Sequence, residues 1–299
     1  MSQFIKLSSP ATEEFWKIPI LLEDSHLLAL DKPAGLPVSP ERDDPARPNL
    51  MKLLHRDLER GAAWAKERGL QYLANAHRLD FSTSGVLLLA KDKPTLVALA
   101  NQFGSERPVQ IFAALVRGAS KESSFECDAP LAPHPLRPSY IRVDPKNGKR
   151  ARTTFTVRET FDGYLLLECR PLTARPHQIR AQLKHLRLPL VGDELYGGSP
   201  LWLSTLKSQY RLKPGKTERP LIARAALHAE QLTFDRPCAD ESATGINAQN
   251  VRIDAPWPKD LAVAVKYLRR YGLVRHNLPL PWSWRAKCAC RIHGDDFAE

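Results

Sequence analysis

The chain has 299 residues, 43% of them apolar and 26% charged, with a formal net charge of +11 and a sequence pI of about 9.5. That length and apolar content supply one large or two ordinary folded domains and exclude a disordered or low-complexity chain. The excess of 44 Lys and Arg over 33 Asp and Glu points to a polyanionic partner, because clustered cations gain affinity by releasing counterions from phosphates. The cysteines Cys127, Cys169, Cys238, Cys288 and Cys290 are odd in number and mostly scattered, which argues against a disulfide framework and for a reducing cytoplasm. Cys288, Cys290 and His293 lack the second ligand pair of a zinc site, so no metal is expected. The N-terminus has no signal-peptide core and no stretch of 18 apolar residues occurs, so neither export nor membrane insertion is expected.

Residues 1 to 18 are polar and contain proline, as an N-terminal arm or edge element would. IPILLEDSHLLALDK predicts two short strands around Glu23-Asp24-Ser25, followed by a Pro/Gly-rich loop from Lys32 to Pro40. Lys32-Pro33-Ala34-Gly35 is a turn carrying a cation, either a rigid surface loop or one that presents Lys32 to a phosphate. After an exposed linker over 41–48, Asn49 offers an N-cap for a helix over LMKLLHRDLERGAAWAKERG, with Leu50, Leu53, Leu54 and Leu58 at helical spacing.

The stretch AHRLDFSTSGVLLLAKD follows. Its apolar run Val86 to Ala90 predicts a central strand, and Phe81 to Gly85 has the composition of a tight connection. Asp80 therefore sits on a loop held by a rigid sheet, beside His77 and Arg78. Two roles fit such a carboxylate: capping the turn through backbone N–H groups, or doing chemistry at the mouth of the strand.

KPTLVALANQFGSER predicts a helix with Leu96, Leu99 and Ala100 on one side and Gly104 as its stop, and VQIFAALVRG a strand. Strands are expected at Tyr140 to Val143, Thr153 to Val157 and Tyr164 to Glu168. They suggest an antiparallel sheet, with Lys146, Lys149, Arg150 and Arg152 flanking a hairpin tip at Asn147-Gly148. In TARPHQIRAQLKHLRLPLVGDELYGG, Pro176 fits the first turn of a helix whose apolar face is Ile179, Leu183 and Leu186. Arg175 and Arg180 bracket His177-Gln178, which suits anion or base recognition and equally a solvated helix start. A basic insert at 199–220, a strand over His228 to Phe234, a small polar loop at 238–250 and a helix with Leu261, Val265 and Leu268 as its stripe complete the ordered pattern. The tail mixes Trp282 and Trp284 with Arg285, Lys287, Arg291 and His293, to stack on unpaired bases or to bury its rings.

Taken together, LLEDSHLLALDKPAGLPV, HRLDFSTSGVLLLAKD, FAALVRG, ARPHQIR, LPLVGDELYG and ALHAEQLTF, in this order from about residue 20 to 235, resemble the RluA family of RNA pseudouridine synthases. The resemblance implies an α+β fold with a long mixed, mostly antiparallel sheet, flanking helices and a central catalytic cleft. It divides the chain into the arm at 1–18, a catalytic domain at 19–237 and an extension at 238–299 packed on or continuing that domain. It also implies isomerisation of specific uridines in ribosomal or transfer RNA, with base flipping and with neither cofactor nor metal.

The family's catalytic aspartate falls on Asp80 and its paired arginine on Arg180. Arg78 resembles the arginine that holds the flipped nucleotide, and His77, Phe112, Arg175, Gln178 and Lys32 are the further candidates for substrate binding. Where the family often has Lys-x-Tyr, this chain has Gln110 and Phe112, which keeps a stacking ring and loses a hydroxyl and a cation. Ala174-Arg175-Pro176 likewise replaces the usual Gly-Arg-Thr. No S4-type domain is expected before Ile18, and the protein is expected to be a cytoplasmic monomer without an obligatory protein partner. The departures leave open a second function, an RNA-binding or RNA-folding module with weakened catalysis. An unrelated Asp-dependent hydrolase would leave the other motifs unexplained.

Overall fold

A computed structural model describes residues 3–41, 44–137, 139–237 and 250–272. The Cys288 and Cys290 pair, the aromatic tail and nearly all of the 238–250 loop lie outside the described residues. Thirteen strands are described: β1 (Phe4–Ser9), β2 (Glu14–Glu23), β3 (Leu27–Lys32), β4 (Ala74–Asn75), β5 (Ser84–Ala90), β6 (Val109–Arg117), β7 (Ser124–Asp128), β8 (Leu131–Pro133), β9 (Ile141–Val143), β10 (Arg152–Phe161), β11 (Tyr164–Pro171), β12 (Leu227–Asp235) and β13 (Asn250–Asp254). Eleven form one sheet in the order β1-β2-β3-β5-β12-β6-β11-β10-β7, with β13 beside β12 and β4 beside β5, while β8 and β9 make a separate ribbon. Only the β5–β12 pair is parallel, His228 opposite Ser84 and Ala229 opposite Gly85.

The central strand β5 is apolar from Val86 to Ala90, as suits a strand covered on both faces. Leu87 and Leu89 enter one core cluster, Val86, Leu88 and Ala90 another. The first face is covered by α1 (Leu50–Glu59), α2 (Ala63–Lys66) and α4 (Gln178–His185), the second by α3 (Lys93–Gly104) and α6 (Lys259–Tyr271); a one-turn helix, α5 (Leu203–Leu206), lies within the basic insert. The predicted caps are in place, with Asn49 Oδ1 accepting the Lys52 N–H at 3.0 Å and Asp92 Oδ1 the Thr95 N–H at 2.8 Å. Gly85, at φ +115°, lets β12 approach: a Cβ there would collide with the Ala229 backbone. No helix among the described residues is long and apolar enough to cross a membrane.

Four expectations change. The boundary at residue 18 falls inside β2, because Ile5, Leu7 and Ile18 alternate into the main core and tie β1 and β2 to the sheet. The helix expected over 50–69 is two helices, broken where Gly61 takes φ +62°. The basic cluster around Asn147 is no hairpin tip: β9 pairs with β8 and β10 with β7 and β11, while the Asp144 carboxylate caps the turn through the Lys146 and Asn147 N–H groups. Pro176 lies before α4, whose N-cap is His177 at φ +50°.

Candidate active site

Asp80 lies on the loop between β4 and β5, and residues from two distant segments pin that loop and the start of β5. Phe81 O accepts the Gly35 N–H at 2.8 Å, Ser82 O accepts from Arg224 Nη1 at 3.1 Å, and Ser84 Oγ bonds the His228 ring at 3.0 Å. Arg224 is itself held by a bidentate pair to Asp260 at 2.7 and 3.0 Å, at the start of α6. The turn is closed by the Asp80 backbone carbonyl, which accepts the Thr83 N–H at 3.1 Å. The carboxylate makes no such cap. Its Oδ2 lies 3.3 Å from Arg180 Nη1 and 4.0 Å from His177 Nε2, and Oδ1 accepts no hydrogen bond among the described residues.

Arg180 is buried on α4, and its fork is occupied by a residue to which the sequence reading gave no role. Nε and Nη2 donate to the two oxygens of Asp193 at 2.7 and 2.8 Å, leaving Nη1 for Asp80. Asp193 is 2% exposed. Burial alone would lower the Arg180 pKa, but the hydrogen bonds to Asp193 and the charges of Asp80 and Asp193 raise it above its ordinary value, so this arginine is a permanent cation. Its guanidinium lies over the Tyr196 ring at 4.9 Å. Tyr196 stacks on Tyr140 at 4.8 Å, and its Oη joins the Ile141 N–H and His177 Nδ1, each at 3.0 Å. Helix α4 is thus clamped between the main sheet, through Ile179 and Leu183, and the β8–β9 ribbon, through Ala181.

The remaining predicted residues separate into two groups. Arg78 is exposed and holds no hydrogen bond or ion pair among the described residues. Arg175 is half-exposed, with Nε on the Arg150 carbonyl at 3.0 Å. Phe112 is 7% exposed and belongs to the cluster that contains Leu79 and Ile179, so little of its ring is open to stacking.

Three others make hydrogen bonds within the protein. Gln178 is buried and saturated: Oε1 accepts from Thr173 and the Arg175 N–H, and Nε2 donates to Arg152 O and Thr153 Oγ1. An amide has two donors and two lone pairs, so none remains for a ligand. Lys32 is fully buried, its Nζ on Pro33 O at 2.7 Å and Leu36 O at 2.8 Å. Burial lowers its pKa to about 7, against the opposing pull of the Asp80 charge, and the side chain closes its own loop from within. His77 Nε2 accepts the Leu88 N–H at 3.1 Å, and the ring stacks on Phe103 at 4.9 Å; burial holds its pKa down at about 4.

Among the described residues no three His, Cys, Asp or Glu side chains come together to hold a metal ion. A cavity of ≈ 710 Å³ is lined by Lys32, Ser84, Arg224 and Asp260 among others, and Asp80 does not line it. What the arrangement offers chemically is a carboxylate on a fixed loop with one oxygen bound to a permanent cation and the other free, a group suited to nucleophilic attack or proton abstraction.

A family model described as RNA pseudouridylate synthase matches residues 26–185. The chain is 37% identical over 258 residues to the ribosomal large subunit pseudouridine synthase D of Xylella fastidiosa, covering 84% of this chain and 70% of that protein. It is 32% identical over 250 residues to synthase C of Vibrio vulnificus, covering 84% and 69%. Among solved structures, human RNA Pseudouridylate Synthase Domain Containing 4 superposes with a TM-score of 0.60 at 22% identity, over 84% of this chain and 92% of that one, a likeness of fold.

Proposed function

The chain belongs to the RNA pseudouridylate synthase family, and from that premise we propose that it isomerises a specific uridine of large-subunit ribosomal RNA, with Asp80 as the reacting carboxylate. The observation that carries the reading is the line Asp193, Arg180, Asp80, which runs from two buried residues to a partly exposed carboxylate with bonds of 2.7, 2.8 and 3.3 Å. In the reaction the N1–C1′ bond breaks, the base turns, C5 bonds to C1′, and the C5 proton is lost as N1 gains one. A duplex or stacked strand hides the sugar and both faces of that bond, so the nucleotide must be extruded. Arg78, exposed and unpaired among the described residues, has the reach and charge to meet the phosphate or fill the space left in the stack. The proposed ribosomal target is supported by two relatives whose names specify the large subunit.

The test is to map pseudouridines in ribosomal RNA from cells with the gene, without it, and with Asp80→Asn in its place. One large-subunit position should lose its modification in both altered strains; no lost position would overturn the reading. A second reading, RNA binding with weakened catalysis, rests on Phe112, which has no hydroxyl, and on Gln110, whose Nε2 lies 3.4 Å from the His77 ring. It predicts tight RNA binding without isomerisation, and multiple turnover by purified wild-type protein rejects it.

A further inference from the structure

Asp80 Oδ2 faces two nitrogens, and Arg180 Nη1 is only one of them. The second is His177 Nε2, 4.0 Å away. Which ring nitrogen carries the proton is set by the neighbour on the other side. Tyr196 is 1% exposed, and its Oη accepts the Ile141 N–H at 3.0 Å. The hydroxyl's own hydrogen has one acceptor among the described residues, His177 Nδ1 at 3.0 Å. Buried hydroxyls find partners, so Nδ1 accepts and the proton of the neutral ring sits on Nε2, toward Asp80.

The backbone is arranged to put the ring there. His177 holds φ +50° and ψ 22° immediately before α4, a left-handed conformation that is uncommon outside glycine, that His, like Asn and Asp, adopts more readily than other side chains, and that tends to gather at functional sites. The imidazole meets Tyr196 edge-on, with centroids 5.8 Å apart and planes at 82°.

We propose that His177 is a positioning residue for Asp80: Tyr196 fixes the Nε2–H tautomer, and that N–H, beside Arg180 Nη1, holds Oδ2 against α4 and leaves Oδ1 to the uridine. The inference rests on Asp80 being the reacting group. Burial keeps the imidazole neutral; the Asp80 and Asp193 charges favour its protonation, and Arg180 and Arg78 oppose it. Because the Ile141 N–H belongs to β9 and Tyr140 stacks on Tyr196, the β8–β9 ribbon takes part in aiming the carboxylate.

The test uses the full chain, with ¹⁵N imidazole spectra to read the His177 tautomer, single-turnover rates, and RNA binding measured separately. The variants are Tyr196→Phe and His177→Asn, the latter because asparagine tolerates the left-handed backbone. The wild type should show the Nε2–H pattern, and Tyr196→Phe should lose it. His177→Asn should slow turnover by about a hundredfold, the scale of a misplaced reacting group, with RNA affinity within about twofold. An Nδ1–H pattern in the wild type, or a wild-type rate in His177→Asn, overturns the proposal, as does a rate loss matched by lost RNA affinity. A wild type that binds RNA and never turns over would instead refute the proposed function, and the tautomer spectra would still decide the Tyr196 to His177 geometry.

Discussion

The α4 segment and the β6 segment both carry family motifs, yet they are built on different principles. Along α4, Arg180, Gln178 and Gln182 are buried and bonded at 2.6 to 3.3 Å to Asp193, Asp80, Thr153, Thr173 and backbone carbonyls. Along β6, Phe112, Ala114 and Val116 contribute apolar packing, and the polar contact of Gln110 with His77 is 3.4 Å long. A buried polar network fails when one member is removed, because the others are left unpaired. An apolar wall degrades in proportion to lost volume. The departures from the family pattern at Gln110 and Phe112 sit on the wall that tolerates change, while Arg180 sits in the network that does not.

The largest effect expected is that of Arg180→Ala. It strands Asp193, so urea unfolding should show a loss of about 3–5 kcal/mol, the scale for breaking a buried ion pair, and turnover should fall to near background. Arg180→Lys keeps the charge but not the fork and should lose less stability. A stable, active Arg180→Ala variant would erase the contrast between the two segments. Gln178→Ala should come next, with about 1–3 kcal/mol lost for unsatisfied buried partners and KM unchanged, because the amide has no free group to offer RNA. A rise in KM without destabilisation would restore the substrate contact expected from the sequence.

On the β-sheet side, His77 supplies a pH dependence. Its folded pKa of about 4 lies below the ordinary 6.5, so between those values the unfolded chain binds more protons and stability rises with pH. Denaturation midpoints should therefore fall on acidification through that window, and His77→Gln should flatten the fall; an unchanged slope would show that other groups dominate. The smallest effect on the fold belongs to Arg78→Ala. Stability should stay within about 0.5 kcal/mol, while the salt dependence of RNA binding loses about one unit of slope.

Much of this was legible in the chain itself. Asn49 announced α1, the run Val86 to Ala90 announced a strand covered on both faces, and Asp80 and Arg180, 100 residues apart, were matched by motif and lie within 3.3 Å. What the sequence concealed was saturation. Gln178 and Lys32 have the chemistry of binding groups, and only the three-dimensional arrangement shows the Gln178 amide fully used and the Lys32 ammonium buried on two carbonyls of its own loop. Asp193 and Tyr196 stood in the quoted VGDELYG motif without a role, because their partners Arg180, Ile141 and His177 come from other elements. The positive φ of His177 had no sequence signal, since glycine or asparagine is the usual marker of that conformation.

The account turns on the Asp80 carboxylate, and tritium release from C5-labelled uridine in large-subunit ribosomal RNA measures its part most directly. Wild-type protein should release tritium in step with pseudouridine formed, and Asp80→Asn, of the same size and on the same pinned loop, should bind the RNA and release none. Equal release by the two proteins would contradict it.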